Sequence, residues 1–356
     1  MEIMDTFYAL LLRKTKVLFI VKRGALDYAD TDYCSNLPKS SGLYNSALLV
    51  VDMLNKAGVK ANLEIATDNN DIDRLVKKHN PKIVVIEALW VVPEKFKVLK
   101  KLWPKVTWVI RLHSEFPFLS MEGMAMEWIF KYIDEGVKIA VNSEQMLNEL
   151  TVLTKTDILY MPNYYPVDNS YKVYNPREFD VVNIGCFGAI RPYKNQLTQA
   201  VAAIKFAGEY NLKLHFHINS TRIENQGSPI LKNIRSLFMA FPEHKLVEYA
   251  WMEHSDFIKL VRSMDYGMQV SYTETFNIVS ADFVNSNIPM VVSTEIDWMD
   301  EEYQVFFPSK INEIFDRLEF ARKGKKNHSQ DVNKKRLDKF SKKSKQQWLK
   351  TILTLD

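Results

Sequence analysis

Two acids eight residues apart, Glu274 and Asp282, have the spacing in this chain that best suits chemistry. They lie in the run Ser271-Tyr-Thr-Glu274-Thr-Phe276-Asn277-Ile278-Val-Ser-Ala-Asp282. Apolar stretches at 266–270 and 290–292 on either side suit buried parallel strands, with a loop and a helix between them. Eight residues span about two helical turns, so both carboxylates can look toward one cleft. In an open α/β sheet, ligands bind where such loops leave the carboxyl ends of strands. Paired acids and a helix start at that place suit a ligand carrying hydroxyls and phosphate. The same spacing also describes a capped surface helix with two solvated acids.

A second cluster is Gly188-Ala-Ile-Arg191-Pro-Tyr-Lys194-Asn195, directly after an expected strand at 181–187. Glycine lets a backbone approach a ligand closely, and a helix opening at Pro192 would offer unbonded N–H groups and a positive dipole. Arg191 as a fork and Lys194 as a point charge together suit a diphosphate; the competing reading is an ordinary basic loop. No G-x-G-x-x-G and no Walker lysine loop occurs, which disfavours a dinucleotide dehydrogenase or a P-loop enzyme. His113, in Arg111-Leu-His113-Ser-Glu115, follows a strand and by itself reads as a satisfied loop histidine, with Glu115 able to orient it. His215 and His217 alternate on one strand but have no evident third partner, so packing is favoured over a metal. Trp251 ends a strand and suits either the core or a nucleotide base. Ser40, Ser41 and Gly42 either cap a helix or bring N–H groups to phosphate or acceptor.

The elements that must position these residues follow an alternating pattern. Strands are expected at 16–21, 59–66, 82–87, 107–113, 138–141 and 158–161. Helices are expected at 43–56, 71–79, 93–102, 124–132 and 143–154. Pro162-Asn163-Tyr-Tyr-Pro166 and the polar stretch to 177 read as a linker. The alternation then restarts, with strands at 181–187, 213–218, 245–249, 266–270 and 290–292 and helices at 196–210, 229–241, 255–263 and 311–322. This predicts two doubly wound parallel sheets: a domain over 1–165, another over 166–325, and a basic C-terminal helix over 326–356 that returns toward the first domain.

A chain of 356 residues with 47% hydrophobic content can fill two such cores. Two cysteines, Cys34 and Cys186, exclude a disulfide framework and point to a reducing, cytoplasmic setting. No run is long and apolar enough to span a bilayer, and the acids Glu2 and Asp5 argue against a signal peptide. The net charge of +4 is mild but uneven: between Arg322 and Lys350 the only acids are Asp331 and Asp338. That basic tail reads as a solvated helix, as a peripheral attachment to anionic lipid at the inner membrane face with Trp348 and Leu349 apolar, or as a contact for nucleic-acid phosphates.

Taken together, Gly188-x-x-Arg191-x-x-Lys194-Asn195, Glu274-x-Phe276-Asn277-x4-Asp282 and Asn287-x-Pro289-x-Val-Val-Ser-Thr294 resemble the donor-binding half of the GT-B glycosyltransferases. The closest group is the retaining, glycogen-synthase-like "group 1" family (family 4). The resemblance implies two Rossmann-like domains facing a cleft and a nucleotide-diphospho-sugar donor of UDP or GDP type, with no other cofactor and no metal. It implies that Arg191 and Lys194 neutralise the leaving diphosphate and that Glu274 holds hydroxyls of the sugar. Asp282 would take the ribose. N–H groups from Phe276, Asn277 and Ile278 would hold phosphate or sugar oxygens, with Gly188 close to the phosphates. His113 would come from the first domain to the anomeric centre, and Gly42 opens a helix there. The pattern departs in three places: Asp282 stands where the family has glutamate, Asn277 where it has glycine, and Ala189 where it often has arginine. The implied acceptor is a glycan or lipid-linked glycan. The alternatives are hydroxymethylated DNA bases, a catalytically impaired nucleic-acid-binding module, and a sugar-nucleotide epimerase.

Overall fold

The computed structural model describes residues 11–22, 42–168, 180–323 and 326–356, the side chains of 326–331 excepted. Ser40, Ser41, Cys34, Lys325 and most of the polar stretch 167–177 lie outside the described residues. Two compact units form, one reaching to Pro166 and including Phe340–Asp356, the other covering Val167–Lys339.

In the first unit, β1 (Lys16–Lys22), β2 (Lys60–Ala66), β3 (Ile83–Glu87), β4 (Thr107–Leu112), β5 (Lys138–Val141) and β6 (Leu159–Tyr160) make one parallel sheet, in the order β2-β1-β3-β4-β5-β6. Strand order reverses between β1 and β3. β3 is buried at every position because helices cover both faces, which explains its unbroken apolar run. Successive residues feed opposite cores: Leu18, Ile20, Val84 and Ile86 face one side, and Val17, Phe19, Ile83 and Val85 the other. The second of these cores is completed by Trp348, Leu349 and Ile352 of the terminal helix Lys326–Leu355. One short helix, Phe116–Leu119, was not expected from the sequence.

The second unit repeats the scheme with β7 (Val181–Gly185), β8 (Lys213–Asn219), β9 (Lys245–Tyr249), β10 (Tyr266–Gln269), β11 (Met290–Ser293) and β12 (Gln304–Val305). The order is β12-β11-β10-β7-β8-β9, again parallel. Its reversal lies between β7 and β10, so the loops leaving those two strands diverge around a crevice at their carboxyl ends. Both basic and acidic motifs sit on those loops. Helix Ile278–Asn285 reaches the sheet closely because Gly267 and Gly185 have no side chain beneath Phe283. A Cβ on Gly267 would lie 2.6 Å from Phe283 and 1.9 Å from the Met290 sulfur, and one on Gly185 would lie 2.8 Å from Phe283.

One expectation needs correction. No α-helix opens at Pro192: Pro192–Lys194 is a single 3₁₀ turn, and the α-helix is Gln196–Glu209. Asn195 between them has φ 56°, a left-handed value that an α-helix cannot continue through. The N–H groups of Lys194 and Asn195 bond to Arg191 and Pro192 carbonyls, so they are not open donors for phosphate.

Candidate active site

The crevice of the second unit is locked by one glutamine. Gln269, the last residue of β10 and 2% exposed, donates to the Phe187 carbonyl at 2.8 Å. Its amide oxygen accepts from Asn277 at 3.0 Å and lies 3.5 Å from the Lys194 ammonium. It therefore ties the β7 loop to the β10 loop. Asn195 adds a second tie, donating to Val270 O at 3.1 Å and Pro308 O at 2.8 Å. Gly188 has φ 118°, where glycine is needed for its backbone rather than for space, and its N–H is taken by Asn219 at 3.1 Å.

On this frame Lys194 and Glu274 form a hydrogen-bonded ion pair with side chains 12% and 8% exposed. Burial acts to raise the Glu274 carboxyl, but the charges of Lys194 and Arg191 outweigh it and hold Glu274 below the ordinary carboxylate range. Arg191 lies 3.4 Å from Glu224, which also binds Arg222 at 2.6 Å. Lys194 and Glu274 thus meet directly, and Arg191 is near enough for its charge to act on both, with Glu224 a partner that sequence reasoning missed. Its signal was faint: an acid in the loop after β8, one strand away from the motif.

Helix Ile278–Asn285 begins at the crevice. Asn277 occupies its N-cap with φ 57°, a left-handed conformation that explains a preference for glycine there and the tolerance of asparagine. Its side chain caps the Ser280 N–H at 2.9 Å and donates to Gln269, so it is folded inward into the cap. Phe276 is buried against Trp298 with ring centroids 5.7 Å apart, and its carbonyl accepts from the Trp298 indole at 2.8 Å. Asp282, one turn further, is bonded by His254 at 2.9 Å; His254 was not singled out in the sequence.

The carboxyl edge of the first sheet carries its own polar cluster. Glu87 ends β3, Arg111 lies in β4, and both side chains are fully buried, with oxygens 3.1 and 3.2 Å from one guanidinium nitrogen. Glu87 also bonds His113. Arg111 continues to Asn163 at 2.8 Å and Met161 O at 2.8 Å, and Asn163 reaches Asn142 and Ser46. Burial would raise Glu87, but Arg111 and His113 hold it down; burial and the Arg111 charge lower His113. The charge and hydrogen bond of Glu87 act to raise His113 but do not outweigh burial and Arg111. Glu115, offered above as its orienting group, accepts from Ser143, the N-cap of helix Glu144–Thr154. Gly42 is the first residue of helix Gly42–Lys56.

The remaining candidates sort by their partners. Trp251 has the Arg222 guanidinium 4.9 Å over its ring. His217 bonds Tyr249 at 3.0 Å and Asn183 at 3.1 Å, in keeping with packing. Among the described residues no three His, Cys, Asp or Glu side chains gather as a metal-ligand set. Cys186 is buried, which pushes its thiol up to about 12. Trp348 and Leu349, read above as an apolar face for lipid, are both 0% exposed, because that face of the terminal helix completes the first unit's core. No described helix is long and apolar enough to cross a membrane.

No protein-family model and no curated protein matches the chain. Solved structures do. A sucrose-phosphate synthase from Thermosynechococcus elongatus is similar with a TM-score of 0.64 at 12% identity, over 94% of this chain and 97% of that one. A trehalose-6-phosphate structure from E. coli bound with UDP-2-fluoro glucose gives 0.64 at 10% identity, over 95% and 99%. An alpha-glucosyltransferase in complex with UDP and a 13-mer DNA containing a HMU base gives 0.64 at 12%, over 95% and 99%. The likeness extends over nearly the full length of each partner and establishes the fold: this chain has the two-unit parallel α/β architecture of the GT-B glycosyltransferases.

Proposed function

We propose that the chain is a retaining glycosyltransferase that moves a sugar from a nucleotide-diphospho-sugar to a hydroxyl acceptor. The observation that carries this reading is the meeting of Lys194 and Glu274, within reach of the Arg191 charge, at the carboxyl end of the β7–β10 reversal. The similar structures that hold UDP or a UDP-sugar derivative support the donor class.

In this reading donor binding exchanges the Lys194–Glu274 bridge for two new contacts. Lys194 turns to the diphosphate, and Glu274 accepts from hydroxyls of the sugar. Arg191 and Lys194 stabilise the charge that develops on the diphosphate as the anomeric C–O bond breaks, the electron pair leaving with the phosphate oxygen. The acceptor oxygen bonds the anomeric carbon on the same face and passes its proton to that phosphate oxygen. No protein nucleophile or metal is assigned a step. The sugar contact of His113 is proposed on the resemblance alone.

A glycan or lipid-linked glycan is the first-ranked acceptor. The peripheral attachment to anionic lipid loses its apolar face, since Trp348 and Leu349 are core residues. The second reading, a hydroxymethylated DNA base, is favoured by the exposed lysines 339, 342, 343 and 350 of the terminal helix and by the DNA-bound structure of similar length. Salt-sensitive binding to duplex DNA separates the two acceptors.

The donor assignment is tested by thermal shift and calorimetry with UDP, GDP and ADP. One of them should stabilise the wild type, and Arg191→Ala with Lys194→Ala should weaken its binding by about a hundredfold. Unchanged affinity in the double variant would refute the diphosphate site.

A further inference from the structure

Asp282 is the residue that the resemblance assigns to the ribose, yet its carboxylate is not the group a ribose would meet first. Its side chain is 2% exposed, while that of His254, bonded to it at 2.9 Å, is 30% exposed. Aspartate is one methylene shorter than glutamate, and here its buried carboxylate is bonded by the more exposed imidazole.

His254 is also placed where the nucleotide would lie. It opens helix His254–Val261, which packs on helix Ile278–Asn285. The same helix touches the other side of the crevice through Phe257, whose ring centroid is 5.2 Å from that of Phe187, the residue before Gly188. Burial acts to lower the His254 imidazole, but the hydrogen bond and charge of Asp282 raise it above its ordinary value, which favours a ring with two N–H donors.

We propose that His254, with Asp282 behind it, is the nucleoside-binding residue of this site: the imidazole donates to a ribose hydroxyl, and Asp282 is a positioning residue that orients the ring. This rests on the nucleotide-sugar reading above. It replaces a direct carboxylate–ribose contact with a relayed one, and it assigns to the donor site a residue outside the Gly188–Asn195 and Glu274–Asp282 motifs.

The test is calorimetric binding of the nucleoside diphosphate (UDP, GDP or ADP) that the wild type prefers, and of its 2′,3′-dideoxy form. His254→Ala should weaken the ribonucleotide by about tenfold and the dideoxynucleotide hardly at all. His254→Gln, which keeps a donor, should recover part of the loss. The pair His254→Ala with Asp282→Asn should bind no more weakly than His254→Ala alone, because Asp282 acts through the ring. Wild-type affinity in His254→Ala, while the Arg191/Lys194 double variant binds poorly, would overturn this inference and leave the donor reading standing. Equal losses for the ribo and dideoxy ligands would overturn the ribose contact. Full affinity in the Arg191/Lys194 variant would remove the donor reading, and this inference with it.

Discussion

His217 shows how a single buried side chain links structure to a measurable property. Burial, with His215 and Lys245 adding positive charge nearby, lowers its imidazole to about 4. The folded state therefore keeps it neutral, while the unfolded chain protonates it from its ordinary value of 6.5 downward. Its contribution to stability is complete above pH 6.5 and is lost progressively as pH falls toward 4. Between pH 7 and pH 5 this amounts to about 2 kcal/mol. Denaturant unfolding at those two pH values should show a smaller acid-side loss in His217→Gln than in wild type, by about that amount. Identical pH dependence would mean that the ring is not held neutral. Glu87 has the same sign, since its depressed carboxyl keeps stability above the ordinary glutamate range and loses it below.

At the scale of elements, helix Ile278–Asn285 is placed by what is missing beneath it. Gly267→Ala would set a methyl into Phe283 and the Met290 sulfur, and overpacking of that kind costs about 1–3 kcal/mol. Gly208→Ala meets nothing within 4 Å and should be neutral or slightly stabilising. Thermal unfolding of the two variants checks the contrast, and equal melting temperatures would contradict the packing account. Most elements were legible in the sequence because parallel strands read as apolar runs and helices as amphipathic periods. The loop and helix between β10 and β11 were legible too, but not the burial of Asp282, which lies within helix Ile278–Asn285 with its side chain 2% exposed while Glu274 stays in the loop before it. What was not legible was partnership across the fold. His254, 28 residues before Asp282, and Glu87, 26 before His113, meet their partners only through sheet order and register, which no local pattern encodes. The 3₁₀ turn at Pro192 was hidden for another reason: Asn195 adopts a left-handed conformation that its neighbours do not announce.

For the molecule as a whole, the terminal helix Lys326–Leu355 joins the first unit's core through its C-terminal half, and only the lipid-facing reading of Trp348 and Leu349 is overturned. Its lysines suggested a tail, but its other face is structural. Trp348 is fully buried, donates to Pro162 O at 2.7 Å and lies under the Arg111 guanidinium at 5.2 Å. Lys334 bonds Asn285 O at 3.3 Å, at the end of the helix that carries Asp282. Trp348→Ala should destabilise the protein by about 3–5 kcal/mol, read as a large fall in melting temperature. A melting temperature near wild type would show that this helix does not belong to the first unit's core. On the solvent face of the same helix Lys339, Lys343 and Lys350 are exposed, and the DNA arm of the proposal depends on that face.

The central claim is that Glu274 serves the sugar of the donor while Arg191 and Lys194 serve its diphosphate. Glu274→Gln tests it most directly, because the amide preserves size and a hydrogen bond to the crevice while removing the charge. Donor turnover and nucleoside-diphosphate affinity should be measured on the same preparation. The account predicts that turnover falls by about a hundredfold or more while the nucleotide binds as well as before. Turnover close to that of wild type would contradict it.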